Sequence, residues 1–223
     1  MSELAVVLVS GGMDSLAVAA IANEECKNLA FLHLNYGQKT QKKEEECFEK
    51  ICNFYQVKDK KIVNMDFLSQ IGGSSLTDQN INVSDYKGDS DEIPSSYVPF
   101  RNTHILALAT SWAEVIGATK IYIGANVEDS PGYPDCRPEY YEAFNQLIKK
   151  GTKDGNIEVL TPIIHMKKAE VVKLLLDKNA PIESSWSCYA REDKACGKCD
   201  SCALRLRGFQ EANTIDPIEY IKE

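Results

Sequence analysis

Two groups of residues carry the recognisable chemistry of this 223-residue chain. The first is Ser10-Gly11-Gly12-Met13-Asp14-Ser15, which follows the apolar run Leu4–Val9 and leads into an apolar stretch, 16–22, of helical character. A strand, a glycine-rich turn and a helix in that order aim backbone N–H groups and a positive helix end at an anion, usually a phosphate. Gly11 and Gly12 let the main chain approach such an anion with no Cβ between them. No Lys follows the glycines as in P-loop proteins, and the G-x-G-x-x-G dinucleotide pattern is absent as well. The second group is Cys188, Cys196, Cys199 and Cys202, spaced C-x7-C-x2-C-x2-C. Four thiolates on a tight loop are the usual structural zinc site, and they leave no open position for a substrate. An iron–sulfur cluster is the competing reading, although the fourth cysteine lies upstream of the close-spaced three.

These groups need a scaffold, and the hydrophobic pattern supplies one. Strands are expected at Leu4–Val9, Leu29–Leu34, Lys61–Asn64, Lys120–Gly124 and Ile157–Leu160. Helices are expected at Asp14–Glu25, Thr40–Tyr55, Thr103–Gly117, Glu139–Lys150, Lys167–Lys178 and Ser201–Ala212. Strands separated by helices predict an α/β fold with an open, mostly parallel, Rossmann-like sheet flanked by helices. The expected division is a nucleotide-binding α/β domain over 1–185 and a C-terminal four-cysteine zinc-binding segment with a helix over 186–223.

Ligands of such sheets sit beyond the carboxyl ends of the strands, where strand order switches. The segments to search are therefore Ser10–Gly12, Asn35-Tyr36-Gly37-Gln38, and the run from Gly124 through Asp129 to Arg137. The irregular stretch Ser69–Phe100 is poor in apolar residues and rich in Ser, Asp and Asn. Loops of that length are lids or disordered segments, so it is expected to form a partly mobile cover over the ligand. The run 42–46, Lys-Lys-Glu-Glu-Glu, reads as a solvated helix face.

The net charge of −8 and pI near 5.1 favour a small-molecule substrate over a nucleic acid, whose binders are usually basic on one face. No apolar run approaches the roughly 20 residues of a membrane helix, and residues 1–9 lack the basic start of a signal peptide. A cytoplasmic protein with no membrane partner is expected, in which eight cysteines point to metal or chemistry rather than disulfides. Cys47 and Cys52 on an expected helix, and Cys26 at the end of another, read as small core residues. Cys136 reads as packing or as a nucleophile, with no His close in sequence. His33 reads as core, and His104 and His165 carry no role.

The string Ser10–Ser15 resembles the pyrophosphate loop of the ATP pyrophosphatases, whose fold is the adenine nucleotide alpha hydrolase-like one. The wider set resembles the 7-cyano-7-deazaguanine synthase family of queuosine biosynthesis. That set comprises Ser10–Ser15, Asn35–Gln38, Ile93–Asn102, Gly132-Tyr133-Pro134-Asp135-Cys136-Arg137, Thr161-Pro162 with Lys168-Ala169-Glu170, and Ser187-Cys188 through Cys202. The resemblance implies adenylation of the carboxylate of 7-carboxy-7-deazaguanine by ATP, displacement of AMP by ammonia, and a second adenylation that lets the amide collapse to a nitrile. Pyrophosphate and AMP leave, and Mg²⁺ offsets the triphosphate charge.

The resemblance also implies roles. Val9, Ser10, Gly11, Gly12, Met13, Asp14 and Ser15 would bind ATP, and the catalytic set would be Asp14, Arg101 and Lys168: Asp14 helping to hold the phosphates and Mg²⁺, Arg101 and Lys168 stabilising charge that develops on the phosphates. Tyr36, Gln38, Tyr133, Asp135 and Arg137 would contact the substrate, Tyr133 by stacking on the ring and Asp135 by accepting its N–H groups. Cys188, Cys196, Cys199 and Cys202 would hold zinc, and a homodimer is implied. Asp14 or Ser15 could instead simply cap the first helix. Phe100 stands where the family usually has a small residue, and Pro131 where it usually has Ser. Three other readings stay open: a thiolase of the same fold acting on tRNA, a non-enzymatic zinc and nucleotide module, and a relative that uses an amine other than ammonia.

Overall fold

The computed structural model describes residues 4–88, 92–127 and 133–222. Five strands form one parallel sheet in the order β3-β2-β1-β4-β5: β1 Leu4–Leu8, β2 Asn28–Asn35, β3 Asp59–Asn64, β4 Lys120–Tyr122 and β5 Glu158–Leu160. The helices are α1 Met13–Glu25, α2 Gln41–Phe54, α3 Phe67–Ile71, α4 Arg101–Ile116, α5 Pro138–Gly151, α6 Lys168–Asp177 and α7 Asp200–Glu211.

Every expected strand and helix is present. The differences lie at the ends, where tertiary contacts decide. β4 stops at Tyr122, although the Ile123 N–H still bonds to the Leu160 carbonyl. The short helix α3 was not expected, and it takes the first residues of the stretch assigned to a loop.

The central strand β1 is buried on both faces, which is why it reads as a continuous apolar run rather than an alternating one. Ala5, Val7 and Val9 pack with Leu16, Phe48, Val172, Leu175 and Phe209 on one face. Val6 and Leu8 pack with Leu106, Ala109, Phe144 and Ile148 on the other. His33 is fully buried on β2, as expected of a core residue, and its Nδ1 lies 2.9 Å from the carbonyl of Val9. Burial lowers its pKa, and the contact ties β2 to the start of the glycine-rich turn.

The stretch 69–100 is fastened rather than loose. Ser74, Ser75, Leu76 and Val98 are buried. Ser75 N–H bonds to Ser95, Lys39 N–H to Leu76, and Tyr86 N–H to Lys198. The described residues of this stretch do not cover the cleft beyond the strand ends, and several of its Ser and Asp side chains serve turns and backbone contacts that sequence composition does not distinguish from solvation.

Phe100 opens α4 with φ of 59°, and its side chain is exposed. A left-handed residue with a bulky side chain costs about 1–3 kcal/mol. Pro131 lies outside the described residues.

Candidate active site

The strand order switches between β1 and β4, and a cleft of about 240 Å³ opens beyond their carboxyl ends. Its wall is drawn from distant parts of the chain: Val9–Ser10, Gly12–Ser15, Tyr36, Glu44, Arg101, Asn102, 123–126, Tyr133, Cys136 and 186–189.

Two glycines shape the turn. Gly11 has φ of 88°, and a Cβ there would lie 2.6 Å from the Glu44 carbonyl, so α2 can press against the turn only at a glycine. Gly124 lets the end of β4 meet the start of α1, where a Cβ would sit 2.8 Å from the Asp14 carbonyl. Because the obstacle is backbone, Gly124→Ala is expected to destabilise the fold by about 1–3 kcal/mol and to weaken ATP binding together with stability. Urea unfolding and a nucleotide titration check this, and an unaltered Kd would contradict it.

No side chain caps α1 at Gly12, so its first N–H groups point toward the cleft as an uncapped helix start does. Ser15 is buried, and its hydroxyl donates back to the Gly12 carbonyl at 2.8 Å. Asp14 accepts from Lys168 Nζ with both carboxylate oxygens, each at 2.8 Å.

Lys168 opens α6 and is only 5% exposed. Its stem passes over Gly208 of α7, where a Cβ would lie 2.7 Å from Lys168 Cγ. Asn126 fixes the approach to α6 by donating to the carbonyls of Ile163 and Met166.

Arg101 donates to the Tyr36 hydroxyl at 3.0 Å and stacks over its ring. Burial pushes the Tyr36 phenol up to about 12 against the pull of Arg101, so Tyr36 is a proton donor at neutral pH. Tyr133 is buried and bonds Ser96 at 2.7 Å. Asp135 is buried behind the wall, and its carboxylate accepts the Asn102 N–H at 3.2 Å. Burial raises its pKa. It holds the start of α4, and Asn102 in turn donates to its carbonyl.

Gln38 is buried; it accepts the Tyr36 N–H and donates to Glu44. Arg137 is exposed at the start of α5 and does not line the cleft. Cys136 lines the cleft, with Asn102 Nδ2 3.7 Å from its sulfur. Thus Asp14, Arg101, Lys168, Tyr36 and Tyr133 gather at or beside the cleft, whereas Gln38 and Asp135 brace it and Arg137 lies apart. None of the described residues of 69–100 lines it.

Residues that sequence reasoning passed over also appear. Glu44 sits inside a charge run that reads as solvated, yet it faces the cleft. The only signal for it is that it falls one helical turn after Thr40, on the face shared by Cys47 and Phe48. Trp186 and Tyr189 also line it, and Lys43 of α2 lies over the Trp186 ring.

That part of the wall hangs on the cysteine knuckle. The sulfurs of Cys188, Cys196, Cys199 and Cys202 all lie within 4.8 Å of one another. Zinc–sulfur bonds of about 2.3 Å in a tetrahedron place sulfurs about 3.8 Å apart, and the Cys196–Cys202 pair is at 3.9 Å. N–H groups of Ala190 and Cys196 point at the Cys188 sulfur, and that of Cys199 at the Cys196 sulfur. The donor set fits one tetrahedral metal ion. Trp186 N–H bonds the Gly11 carbonyl at 2.8 Å, which ties the knuckle to the glycine-rich turn.

Arg205 of α7 completes the brace and is buried rather than part of a basic surface. It grips Asp216 through two hydrogen bonds, at 2.6 and 2.9 Å, and bonds the hydroxyls of Ser185 and Ser187. Breaking a buried pair from one side typically costs about 3–5 kcal/mol. Asp216→Asn is expected to lose that much in chemical unfolding, and a loss below about 1 kcal/mol, the scale of an exposed pair, would show the pair to be weak.

Comparison with known proteins agrees with this architecture. The family of Queuosine biosynthesis protein QueC matches residues 4–213. A 7-cyano-7-deazaguanine synthase from Chloroherpeton thalassium is 57% identical over 217 residues, 97% of this chain and 96% of that protein. One from Koribacter versatilis is 52% identical over 220 residues, covering 97% and 92%. Among solved structures, the U34-tRNA thiolase NcsA from Methanococcus maripaludis with its 4Fe–4S cluster aligns with TM-score 0.52 at 16% identity, over 96% of this chain and 72% of that one. A 4-thiouridine synthetase in complex with RNA and ATP aligns with TM-score 0.51 at 16% identity, over 95% of this chain and 50% of that one. At such identities these two bear on the fold alone.

Proposed function

The chain belongs to the queuosine biosynthesis QueC family, and on that premise we propose that it converts 7-carboxy-7-deazaguanine and ammonia to 7-cyano-7-deazaguanine, releasing AMP and pyrophosphate from ATP. The observation that carries the site assignment is the cleft at the β1/β4 switch, where the glycine-rich turn, the Asp14–Lys168 pair and Arg101 line or adjoin one space.

A carboxylate oxygen is a poor leaving group and AMP a good one. The N–H groups at the start of α1 would hold the phosphates of ATP, and Val9–Ser15 would line their path. Asp14 would turn toward Mg²⁺ when nucleotide enters, and Mg²⁺ would supply charge neutralisation at the phosphates. Lys168 and Arg101 would stabilise charge that grows as pyrophosphate leaves. Tyr133 and Tyr36 offer aromatic faces to the deazaguanine ring. Gln38, Asp135 and Arg137 are proposed to serve the substrate indirectly, the first two through the braces described above.

The proposed metal at the knuckle is zinc, and its role is structural, since all four tetrahedral positions would be thiolates. The family set of an α/β nucleotide domain over 1–185 and a metal segment over 186–223 is part of the same proposal. So is a cytoplasmic setting, in which thiols stay reduced; none of the helices among the described residues is long and apolar enough to cross a membrane. The acidic chain favours small-molecule substrates over RNA. A homodimer is proposed as well: β3 is an open sheet edge, and Ile62, Phe67 and Ile71 on and just after it are exposed.

Exchange of labelled pyrophosphate into ATP tests the first half-reaction. The account expects exchange that depends on 7-carboxy-7-deazaguanine and Mg²⁺. Exchange with no dependence on the carboxylate would sink it.

A further inference from the structure

We propose that Glu44 is the proton acceptor for the nitrogen chemistry in this cleft, taking a proton from the ammonium-derived nitrogen as it attacks the adenylated carbonyl. The inference rests on the function proposed above, and deepens it.

Chemistry demands such a group. Ammonium has no lone pair to attack with. It must lose a proton as the C–N bond forms and the C–O bond to AMP breaks. The same nitrogen must shed its remaining protons when the adenylated amide expels AMP and becomes a nitrile. Each proton leaves nitrogen for an acceptor. Four N–H bonds break between ammonium and nitrile: three of their electron pairs become the C≡N bond, the fourth stays on nitrogen as its lone pair, and the pair of each broken C–O bond leaves with AMP. No oxidant or reductant is involved.

Glu44 is placed for this. Among the described residues lining the cleft only two are carboxylates, Asp14 and Glu44. Asp14 is engaged by Lys168 through both oxygens. Asp135 is turned onto the start of α4 and stands behind the wall. Tyr36 keeps its proton at neutral pH. Of the two carboxylates that line the cleft, Glu44 is the one whose bonded partners are uncharged: the Thr40 hydroxyl donates to Oε1 at 2.7 Å and the Gln38 amide to Oε2 at 3.0 Å. Two donors hold the group in one orientation without neutralising it.

The surroundings set its basicity. Burial lifts the Glu44 carboxyl to about 7, against the hydrogen bonds from Thr40 and Gln38 and the charge of Arg101, with Glu192 pushing the other way. Tyr36 and Cys47, both neutral, are its other titratable neighbours. A carboxylate tuned close to the working pH is a better base than an ordinary one, because it can both accept and release the proton.

Glu44→Gln tests this with little disturbance: its amide can accept from Gln38 and donate to the Thr40 hydroxyl. The measurement pairs pyrophosphate exchange with nitrile formation, both followed from pH 5.5 to 8.5. The expected result is exchange within tenfold of the unaltered protein, nitrile formation lower by about 100-fold, and loss of the rise in activity that the unaltered protein shows through pH about 7. Glu44→Asp should restore part of the nitrile rate. Nitrile formation within threefold of normal in Glu44→Gln would overturn the assignment. So would an equal fall in exchange and nitrile formation, which would mean a role in ATP binding or folding. Should the variant fail to fold, an unaltered protein whose amine step shows no rise near pH 7 also overturns it. Unaltered protein with no carboxylate-dependent exchange would instead refute the function, a distinguishable failure.

Discussion

Lys168→Met lowers carboxylate-dependent AMP formation by about 10²–10³-fold, the usual cost of removing one preorganised charge stabiliser. Methionine keeps the unbranched stem that slides past Gly208, so packing changes little. The charge is lost, and Asp14 loses the partner that both its oxygens face. That pairing has a second consequence for stability. Lys168 is buried while the Asp14 side chain is 23% exposed, so water offsets part of the cost of leaving Asp14 unpaired. Adding Asp14→Asn removes the orphaned charge. The double variant should therefore regain stability over Lys168→Met while staying inactive, because the pair's structural and chemical contributions separate. Rapid-quench assay of AMP and urea unfolding check the two parts. Lys168→Met retaining AMP formation within threefold of normal would remove Lys168 from the chemistry.

Removing the knuckle metal is the second large effect. Structural zinc sites contribute about 10–16 kcal/mol of apparent binding free energy in isolated zinc-finger peptides. Here the parallel sheet has its own core on both faces, so loss of metal should loosen the segment 186–202 rather than unfold the chain. The cost falls on the cleft, since Trp186, Ser187, Cys188 and Tyr189 line it and Trp186 holds Gly11. A displacement of about 1 Å in such a wall lowers turnover by about 10²-fold. Cys199→Ser, or treatment with a strong chelator, should give that loss together with a lower midpoint of thermal unfolding, read against metal content measured on the same sample. Equimolar zinc in the unaltered protein is expected. Full activity after complete metal removal would contradict the link between knuckle and cleft.

The fold was legible because its signals are local. β1 is a fully buried central strand and so appears as an uninterrupted apolar run; Ser10-Gly11-Gly12 marks the turn that follows, and the spacing of the four cysteines is itself a geometry. The ends of elements were less legible. β4 ends where Gly124 must clear the backbone of Asp14, a contact between residues far apart in sequence. The candidate site divides in the same way. Asp14, Arg101 and Lys168 stand in motifs and meet at or beside the cleft. Glu44 was hidden among Glu45 and Glu46, and only its helical register with Cys47 and Phe48 marks it as the acid that faces the cleft. Asp135 and Gln38 sit in functional-looking segments, yet the structure uses their polar atoms to hold backbone and neighbouring side chains. Arg205 stands in no motif of the sequence and is the most deeply buried charge in the C-terminal segment, paired to an Asp eleven residues on.

The central claim is the conversion of a carboxylate to a nitrile with ammonia as nitrogen donor. Mass spectrometry of the product formed from 7-carboxy-7-deazaguanine, ATP, Mg²⁺ and isotopically heavy ammonium tests it most directly. The account predicts 7-cyano-7-deazaguanine carrying the heavy nitrogen, with AMP in excess of nitrile as two adenylations require. AMP release with the carboxylate left intact, or with an adduct of some other amine, would contradict it.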